Sequence, residues 1–309
     1  ANEDMLAHLS VRYSIPRWIL EMWEKTYGLE MTKRFARNLT TPRDLSLRCN
    51  TLRTDPETLY QDLVKELGEG NVGRGHVCAE ALTCKKSGDI SHWEAFRRGH
   101  VTVQDESSML TVYALDPQPG ERVLDLCAAP GGKSTHMVQR MQNQGLVESR
   151  DLEQIRENAN RLGCTILEAK CSDASKAYAE DQEAWDRVLL DAPCSGLGII
   201  RNKPDLKLHR KQEDVESLAA LQREMMQAAA RCVRPGGVLV YSTCTLSSRE
   251  NEENVAWFLK QHPEFGSETL KGILPAGFPP SQIHPHYTYV LPEKDFFDGF
   301  FLARFYKKR

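Results

Sequence analysis

Apolar positions along the chain fall into two rhythms that change near residue 104. Before it, Leu6, Leu9, Ile19, Leu20, Met22 and Trp23 predict helix over 5–30, with Pro16 where a second helix would begin. Leu45-Ser-Leu-Arg-Cys-Asn50 alternates as a strand, and Asp55-Pro56 opens a helix through Leu59, Leu63, Val64 and Leu67 that Gly68 and Gly70 end. Short β-prone runs separated by glycines follow over 71–103, ending in His100-Val-Thr-Val-Gln104, so this part predicts a small α+β module.

From Asp105 onward, strands are predicted at 122–126, 146–149, 165–168, 187–191 and 238–242, with helices between them, notably over 152–162 and 212–233. Such alternation implies an α/β fold with a mostly parallel, doubly wound sheet, in which ligands bind beyond the carboxyl ends of the strands. Arg249-Glu-Asn-Glu-Glu-Asn254 opens a further helix whose acidic first turn suits the helix dipole, and Asn251 and Asn254 are expected to support the loop before it. Asp298-Gly-Phe-Phe-Leu-Ala-Arg-Phe-Tyr306 reads as a last, antiparallel strand. The aperiodic run 272–292 reads as a segment wrapping the surface. The expected division is 1–104 and 105–309.

A chain of 309 residues with 40% hydrophobic and 27% charged content can bury a full core. No apolar run approaches the ~20 residues that cross a bilayer, and no basic-then-apolar leader opens the sequence, so a cytoplasmic protein with no membrane association is expected. The nine cysteines, at 49, 78, 84, 127, 164, 171, 194, 232 and 244, form no Cys-x-x-Cys pair, which argues against zinc ribbons and disulfide frameworks and gives no metal site. A net charge of −3 marks no basic domain, so any nucleic-acid contact would have to come from local patches. One is Lys33, Arg34, Arg37, Arg43, Arg48 and Arg53, opposed between 33 and 53 only by Asp44; another is Arg201-Asn-Lys-Pro-Asp-Leu-Lys-Leu-His-Arg-Lys211. On charge alone each reads as a solvated face or as a phosphate contact.

The stretch that organises the rest is Arg122-Val-Leu-Asp-Leu-Cys-Ala-Ala-Pro-Gly-Gly-Lys-Ser-Thr-His136: a buried strand, a tight loop at Pro130-Gly131-Gly132, and a helix from Lys133 with Ser134 or Thr135 near its cap. A P-loop would need glycine where Cys127 stands, and a dinucleotide fingerprint would need more glycines than the adjacent pair Gly131-Gly132. Asp-Leu-Cys-Ala-Ala-Pro-Gly-Gly-Lys instead resembles the cofactor motif of the RNA cytosine-C5 methyltransferases, particularly the RsmB branch that modifies small-subunit (16S) ribosomal RNA. The resemblance implies a Rossmann-like class I S-adenosylmethionine-dependent methyltransferase sheet with a small N-terminal RNA-contacting α+β module, and it favours phosphate contact at both basic runs. It assigns S-adenosylmethionine to Cys127, Ala128, Ala129, Pro130, Gly131, Gly132 and Lys133, and the adenine to Asp173. Asp151, at the end of the second strand, stands where an acid accepts hydrogen bonds from ribose hydroxyls. Ser149 and Arg150 depart from the family's small or apolar residues just before that acid. Members of the branch commonly carry a further all-helical RNA-binding domain ahead of the stretch read here.

Two cysteines follow the fourth and fifth strands, in Asp191-Ala-Pro-Cys-Ser-Gly-Leu-Gly198 and Ser242-Thr-Cys-Thr245. If those strands are neighbours, Cys194 and Cys244 emerge side by side above one edge. Cytosine C5 is a poor nucleophile; thiolate addition at C6 leaves electron density on C5, dividing one hard step into easier ones. The resemblance implies that Cys244 attacks and Cys194 assists product release, whereas DNA cytosine-C5 methyltransferases use a Pro-Cys thiol as nucleophile, so the swapped roles remain open at this point. Asp191 would act at cytosine N3 and border the cofactor, with Lys133 orienting it. An RNA-modifying monomer that takes an extruded cytosine is the expected protein. Methylation of tRNA or DNA, or a non-catalytic role in ribosome assembly, are the alternatives.

Overall fold

The structure, a computed structural model, describes residues 2–309 apart from 86–87, 151–152, 177 and 293–295. The helical opening is three helices, α1 (Asn2–Tyr13), α2 (Arg17–Tyr27) and α3 (Leu29–Asn38), broken at Pro16 and at Gly28, whose φ of +79° few other residues adopt. Their apolar faces, including Leu6, Leu9, Ile19, Leu20, Trp23 and Phe35, do not close only on one another. They pack against Leu197, Ile200 and Leu246, residues of loops at the edge of the main sheet.

The next part is an antiparallel sheet in the order β2-β3-β1-β4, made of β1 (Leu45–Cys49), β2 (Val72–Arg74), β3 (Ala81–Cys84) and β4 (Val101–Val103). Two helices, α4 (Pro56–Leu67) and α5 (Glu94–Arg97), interrupt it, and Leu47, Leu59, Leu63, Leu82 and Trp93 form its core. Asp55 caps α4 by accepting from the backbone N–H groups of Glu57 and Thr58, as its position before proline leads one to expect.

The main sheet follows α6 (Glu106–Leu115). Its parallel strands are β5 (Arg122–Asp125), β6 (Leu146–Arg150), β7 (Leu167–Lys170), β8 (Trp185–Asp191) and β9 (Val233–Thr243). Between them run α7 (Gly132–Arg140), α8 (Glu153–Leu162), α9 (Leu206–His209) and α10 (Gln212–Cys232). After β9 come α11 (Glu252–Gln261), β10 (Phe265–Glu268), β11 (Thr288–Val290) and β12 (Phe300–Lys307). The order is β10-β12-β9-β8-β5-β6-β7, with β11 also on β12 and the last three strands antiparallel. This is the expected Rossmann-like sheet with its antiparallel tail strand. Side chains alternate between its faces: Val123, Leu189 and Val240 join one core, Leu124, Leu190 and Tyr241 the other.

The smaller sheet is fastened to α7. Arg48, fully buried on β1, donates to the Gly132 carbonyl at 2.7 Å, to Thr135 Oγ1 at 2.9 Å and to Gln104, and burial lowers its guanidinium to about 10. Glu80 meets His136 at 2.8 Å, and Gln139 donates to Asn50 at 3.0 Å. This corrects the reading of the 33–53 basic patch. Arg43 pairs with Asp105 and Asp298, and Arg53 donates to the Leu162 and Arg98 carbonyls, so with Arg48 half of that patch holds the protein to itself.

Two local expectations also change. Helix α7 begins at Gly132 with Gly131 as its cap residue, in left-handed backbone at φ +96°, and the Ser134 hydroxyl is turned inward to Asp125. The run 272–292 is not merely a wrap, because Leu274, Phe278 and Val290 are buried and β11 adds a strand to the sheet.

Candidate active site

Beyond the carboxyl ends of β5 and β8, a cavity of about 490 Å³ is lined by Leu126, Cys127 and Ala129 on one side and by Asp191, Pro193, Cys194 and Cys244 on another. That is within the range of small-molecule sites. Burial sorts the cysteines: Cys49, Cys78, Cys84, Cys164 and Cys232 are buried fillers, whereas Cys127, Cys194 and Cys244 are half-exposed, and all three of these line the cavity.

The wall nearest β5 is a backbone surface. The Ala129–Pro130 peptide is cis, Gly131 turns the chain, and a Cβ built on Gly132 would find only Gln104 Nε2, at 3.9 Å. The start of α7 adds first-turn N–H groups that have no acceptor within the helix. Beneath the loop, Asp125 is fully buried, accepts from Ser134 Oγ at 2.7 Å, and is pushed up to about 6 by burial. A nucleoside with a charged tail fits a wall of this kind, where backbone rather than side chains makes the approach.

Because β8 and β9 are adjacent and in register from Arg187–Val238 to Asp191–Ser242, the residues that follow them emerge together. Cys194 Sγ lies 3.3 Å from Cys244 Sγ and also accepts from the Cys244 backbone N–H at 3.3 Å. The hydrogen bond with Cys244, and then burial, hold the Cys194 thiol well above its usual range, so Cys194 keeps its proton. Lys133 Nζ reaches Asp191 at 2.6 Å, Ser242 Oγ donates to the other Asp191 oxygen at 2.7 Å, and the ammonium lies 5.6 Å from the centre of the Phe300 ring. A carboxylate and two thiols thus meet around one cavity, with the Lys133 ammonium behind them on Asp191.

The loops bearing these groups are knitted through glycine. Gly198 N–H donates to the Cys244 carbonyl at 2.9 Å, and Gly299 N–H donates to the Gly198 carbonyl at 2.8 Å. A Cβ on Gly198 would stand 2.0 Å from the Gly299 oxygen and 2.8 Å from the Cys244 oxygen, which no side chain can occupy. Glu250, fully buried, binds the residue after Cys194: it accepts from Ser195 N–H at 2.8 Å and Ser195 Oγ at 2.6 Å, and from Gln222 Nε2 at 3.0 Å. Asn251 Nδ2 donates to the Thr245 carbonyl and Asn254 Nδ2 to the Glu250 carbonyl, so both asparagines do support the Cys244 loop.

Other sequence candidates fare differently. Asp151 lies outside the described residues. Asp173 is exposed and folded into its own turn, accepting from Ser175 N–H and Oγ and pairing with Lys176 at 3.2 Å; the Ser175 bonds, then Lys176, hold its carboxyl at about 2, and it does not line the cavity. Of the 127–133 loop only Cys127 and Ala129 line the cavity; Ala128, Pro130, Gly131, Gly132 and Lys133 stand behind them. Arg150, noted from the sequence only as a departure from the family pattern, and Lys203, Leu206 and Arg210 of the 201–211 run also line the cavity. In the 201–211 run, Arg201 donates to the Asn38 carbonyl, Lys207 to Tyr13 at 2.9 Å, and Arg210 to Ser195 at 3.2 Å, so three of its cations are intramolecular anchors rather than expected phosphate ligands. Among the described residues no group of acidic, cysteine or histidine side chains could hold a metal ion, and no helix is long and apolar enough to cross a membrane.

Residues 112–306 match the family model described as 16S rRNA methyltransferase RsmB/F, and residues 15–91 match the ferredoxin-like domain of RsmF/B-like methyltransferases. The whole chain is 40% identical to the probable ribosomal RNA small subunit methyltransferase B of Bacillus subtilis (strain 168), of which it spans 70%. A methyltransferase homolog protein from Pyrococcus horikoshii superposes with a TM-score of 0.82 at 28% identity, over 98% of this chain and 99% of that one. NSun6 from Pyrococcus horikoshii, solved with the S-adenosylmethionine analogue SFG, gives a TM-score of 0.82 at 25% identity, over 95% of this chain and 98% of its own.

Proposed function

Because the chain belongs to the 16S rRNA methyltransferase RsmB/F family, we propose that it methylates C5 of a cytosine in small-subunit ribosomal RNA, with S-adenosylmethionine as donor. One observation carries the reading: two thiols 3.3 Å apart in a cavity that the glycine loop also lines. A lone cysteine there would be packing; a pair, beside an ion-paired carboxylate, is a covalent-catalysis centre.

S-adenosylmethionine supplies an electrophilic methyl group on a sulfonium. In this reading the backbone from Cys127 to Lys133 holds it, with Asp151 taking the ribose hydroxyls and Asp191 bordering it, while Asp173, turned into its own loop away from the cavity, is not given the adenine. Cys244 attacks as the thiolate, its proton having passed to solvent: its sulfur bonds to C6 of an extruded cytosine, and the electron pair of the C5–C6 double bond bonds C5 to the methyl carbon, whose bond to the donor sulfur would break with its own pair left on that sulfur as a neutral thioether. The Lys133–Asp191 pair meets the N3 edge of the ring and moves a proton there, which favours addition. For release, water takes the C5 proton, the C5–C6 double bond re-forms and the C6–S bond breaks with its electron pair left on the Cys244 sulfur; the protonated Cys194 thiol, 3.3 Å away, hydrogen-bonds to that departing thiolate and so assists release. Residues 1–104 act as the RNA-contacting module and 105–309 as the catalytic domain of a cytoplasmic monomer.

The test is transfer of labelled methyl from S-adenosylmethionine to 16S rRNA, tRNA and DNA, with bisulfite mapping of the product. Label at cytosine C5 in 16S rRNA alone is expected. Label in DNA or tRNA instead would reassign the substrate, and cofactor binding without transfer to any of them would leave a non-catalytic RNA-binding protein.

A further inference from the structure

An extruded base enters the cavity while its phosphate stays at the mouth, so something at the rim must meet a negative charge. The charge-rich run after Cys194 supplies it, but not as a patch. Arg201, Lys207 and Arg210 are tied to main-chain carbonyls of Asn38, Tyr13 and Ser195, and Lys211 opens α10, where its own N–H donates to Asp214. Lys203 is left. It lines the cavity with Cys194, Cys244 and Asp191, it is exposed, and among the described residues its ammonium has no partner.

Its loop is set in advance. Lys203 N–H donates to the Ile199 carbonyl at 3.0 Å, Leu206 N–H returns to the Lys203 carbonyl at 3.1 Å, and the preceding Asn202 side chain donates to Asp298 at 2.6 Å. On the inner side, Gly196 has a φ of +73° and leaves so little room that a Cβ would stand 2.6 Å from Leu206 Cδ1. An ammonium offered from a fixed loop needs no ordering of backbone when it binds, and such preorganisation favours affinity.

We propose that Lys203 binds the backbone phosphate of the nucleotide whose base is methylated, and that it is the cation which seats the RNA over the two thiols. The inference rests on the function proposed above and names a contact within it. The anion is RNA phosphate rather than the carboxylate of the methyl donor, because Lys203 follows the Cys194 loop and the donor's cradle is the β5–α7 loop.

The experiment compares the full chain with its K203Q and K203R variants on the RNA that the unaltered protein methylates. For K203Q, the KM for RNA rises about five- to tenfold, kcat at saturating RNA stays within about twofold, and the log–log salt dependence of RNA binding becomes shallower by about 0.7, as loss of one phosphate contact on a single strand requires. K203R, which keeps the charge, restores the salt slope. Affinity for S-adenosylmethionine, measured by calorimetry without RNA, and the melting temperature remain unchanged. An unchanged KM and salt slope in K203Q overturn the proposal, and weakened S-adenosylmethionine binding with normal RNA binding transfers Lys203 to the donor. If the unaltered protein methylates no RNA, the function itself fails, a result separable from either.

Discussion

Glu250 offers the sharpest handle on how the two thiols are held. Its fully buried carboxyl takes three hydrogen bonds, two of them from Ser195, the residue after Cys194. Its carbonyl accepts from Tyr241 on β9 at 2.6 Å, so one residue joins both cysteine-bearing segments. Glu250→Ala leaves three donors without acceptors, each worth about 1–3 kcal/mol when unsatisfied, so with partial relief by water a loss of about 3–5 kcal/mol is expected in urea unfolding. Glu250→Gln keeps the shape and one carbonyl oxygen but turns an amide NH2 donor toward Ser195 Oγ, which then must accept while Thr245, 2.7 Å from it, rearranges; about 1–2 kcal/mol is expected. Burial raises the Glu250 carboxyl above its usual range. The folded state therefore holds that proton to higher pH than the unfolded one, and stability falls as pH rises above the usual carboxylate range, a fall the Gln variant should lack. In catalysis, a thiol misplaced by about 1 Å slows the chemistry roughly a hundredfold. The assay is single-turnover methyl transfer below the unfolding range, with donor affinity as control: kcat should fall and donor affinity hold. Folded Glu250→Ala with kcat within twofold of the unaltered protein would refute the positioning argument.

Asp125 makes a second pH-dependent claim. Its folded carboxyl is pushed up to about 6, from an unfolded value near 3.8, so the folded state loses stability as pH rises through that window. Asp125→Asn should gain about 2 kcal/mol on the unaltered protein between pH 4 and pH 7; parallel pH–stability curves from urea melts would count against it. At Gly198, a methyl group meets the Gly299 oxygen at 2.0 Å, and both partners are backbone. Gly198→Ala should therefore lose at least about 3 kcal/mol and most of its activity, whereas an active variant of normal melting temperature would show that the two loops need not cross so closely.

What the sequence disclosed depended on how local the physics was. The short apolar run Val123–Leu126 before Pro130-Gly131-Gly132 marks a strand and a turn by itself, because a buried strand and a glycine bend need no distant partner to be recognised. The convergence of Cys194 and Cys244 was legible one step further, since it needed only that β8 and β9 be neighbours, and they are. Long-range pairing was not legible. Helical periodicity shows that Leu20 and Trp23 are buried, but not that Leu197 and Leu246 cover them. Charge runs mislead for the same reason: Arg48 and Arg201 look like phosphate ligands until the carbonyls they bind, 84 and 163 residues away, are in view. The cap of α7 was misjudged because Ser134 had a better acceptor in Asp125, and β10 and β11, at four and three residues, are too short to show a period. Glu250 had no signal of its own, being one acid in an acidic helix start.

The central claim is that two sulfurs share one cytosine, with separate duties. It is tested most directly by incubating Cys244→Ala and Cys194→Ala with 16S rRNA and S-adenosylmethionine, and resolving covalent protein–RNA species on a denaturing gel. Cys244→Ala should show neither methyl transfer nor adduct, and Cys194→Ala should accumulate an adduct it cannot release. An adduct in Cys244→Ala and none in Cys194→Ala would reverse the duties, and full turnover by either variant would contradict the two-thiol centre.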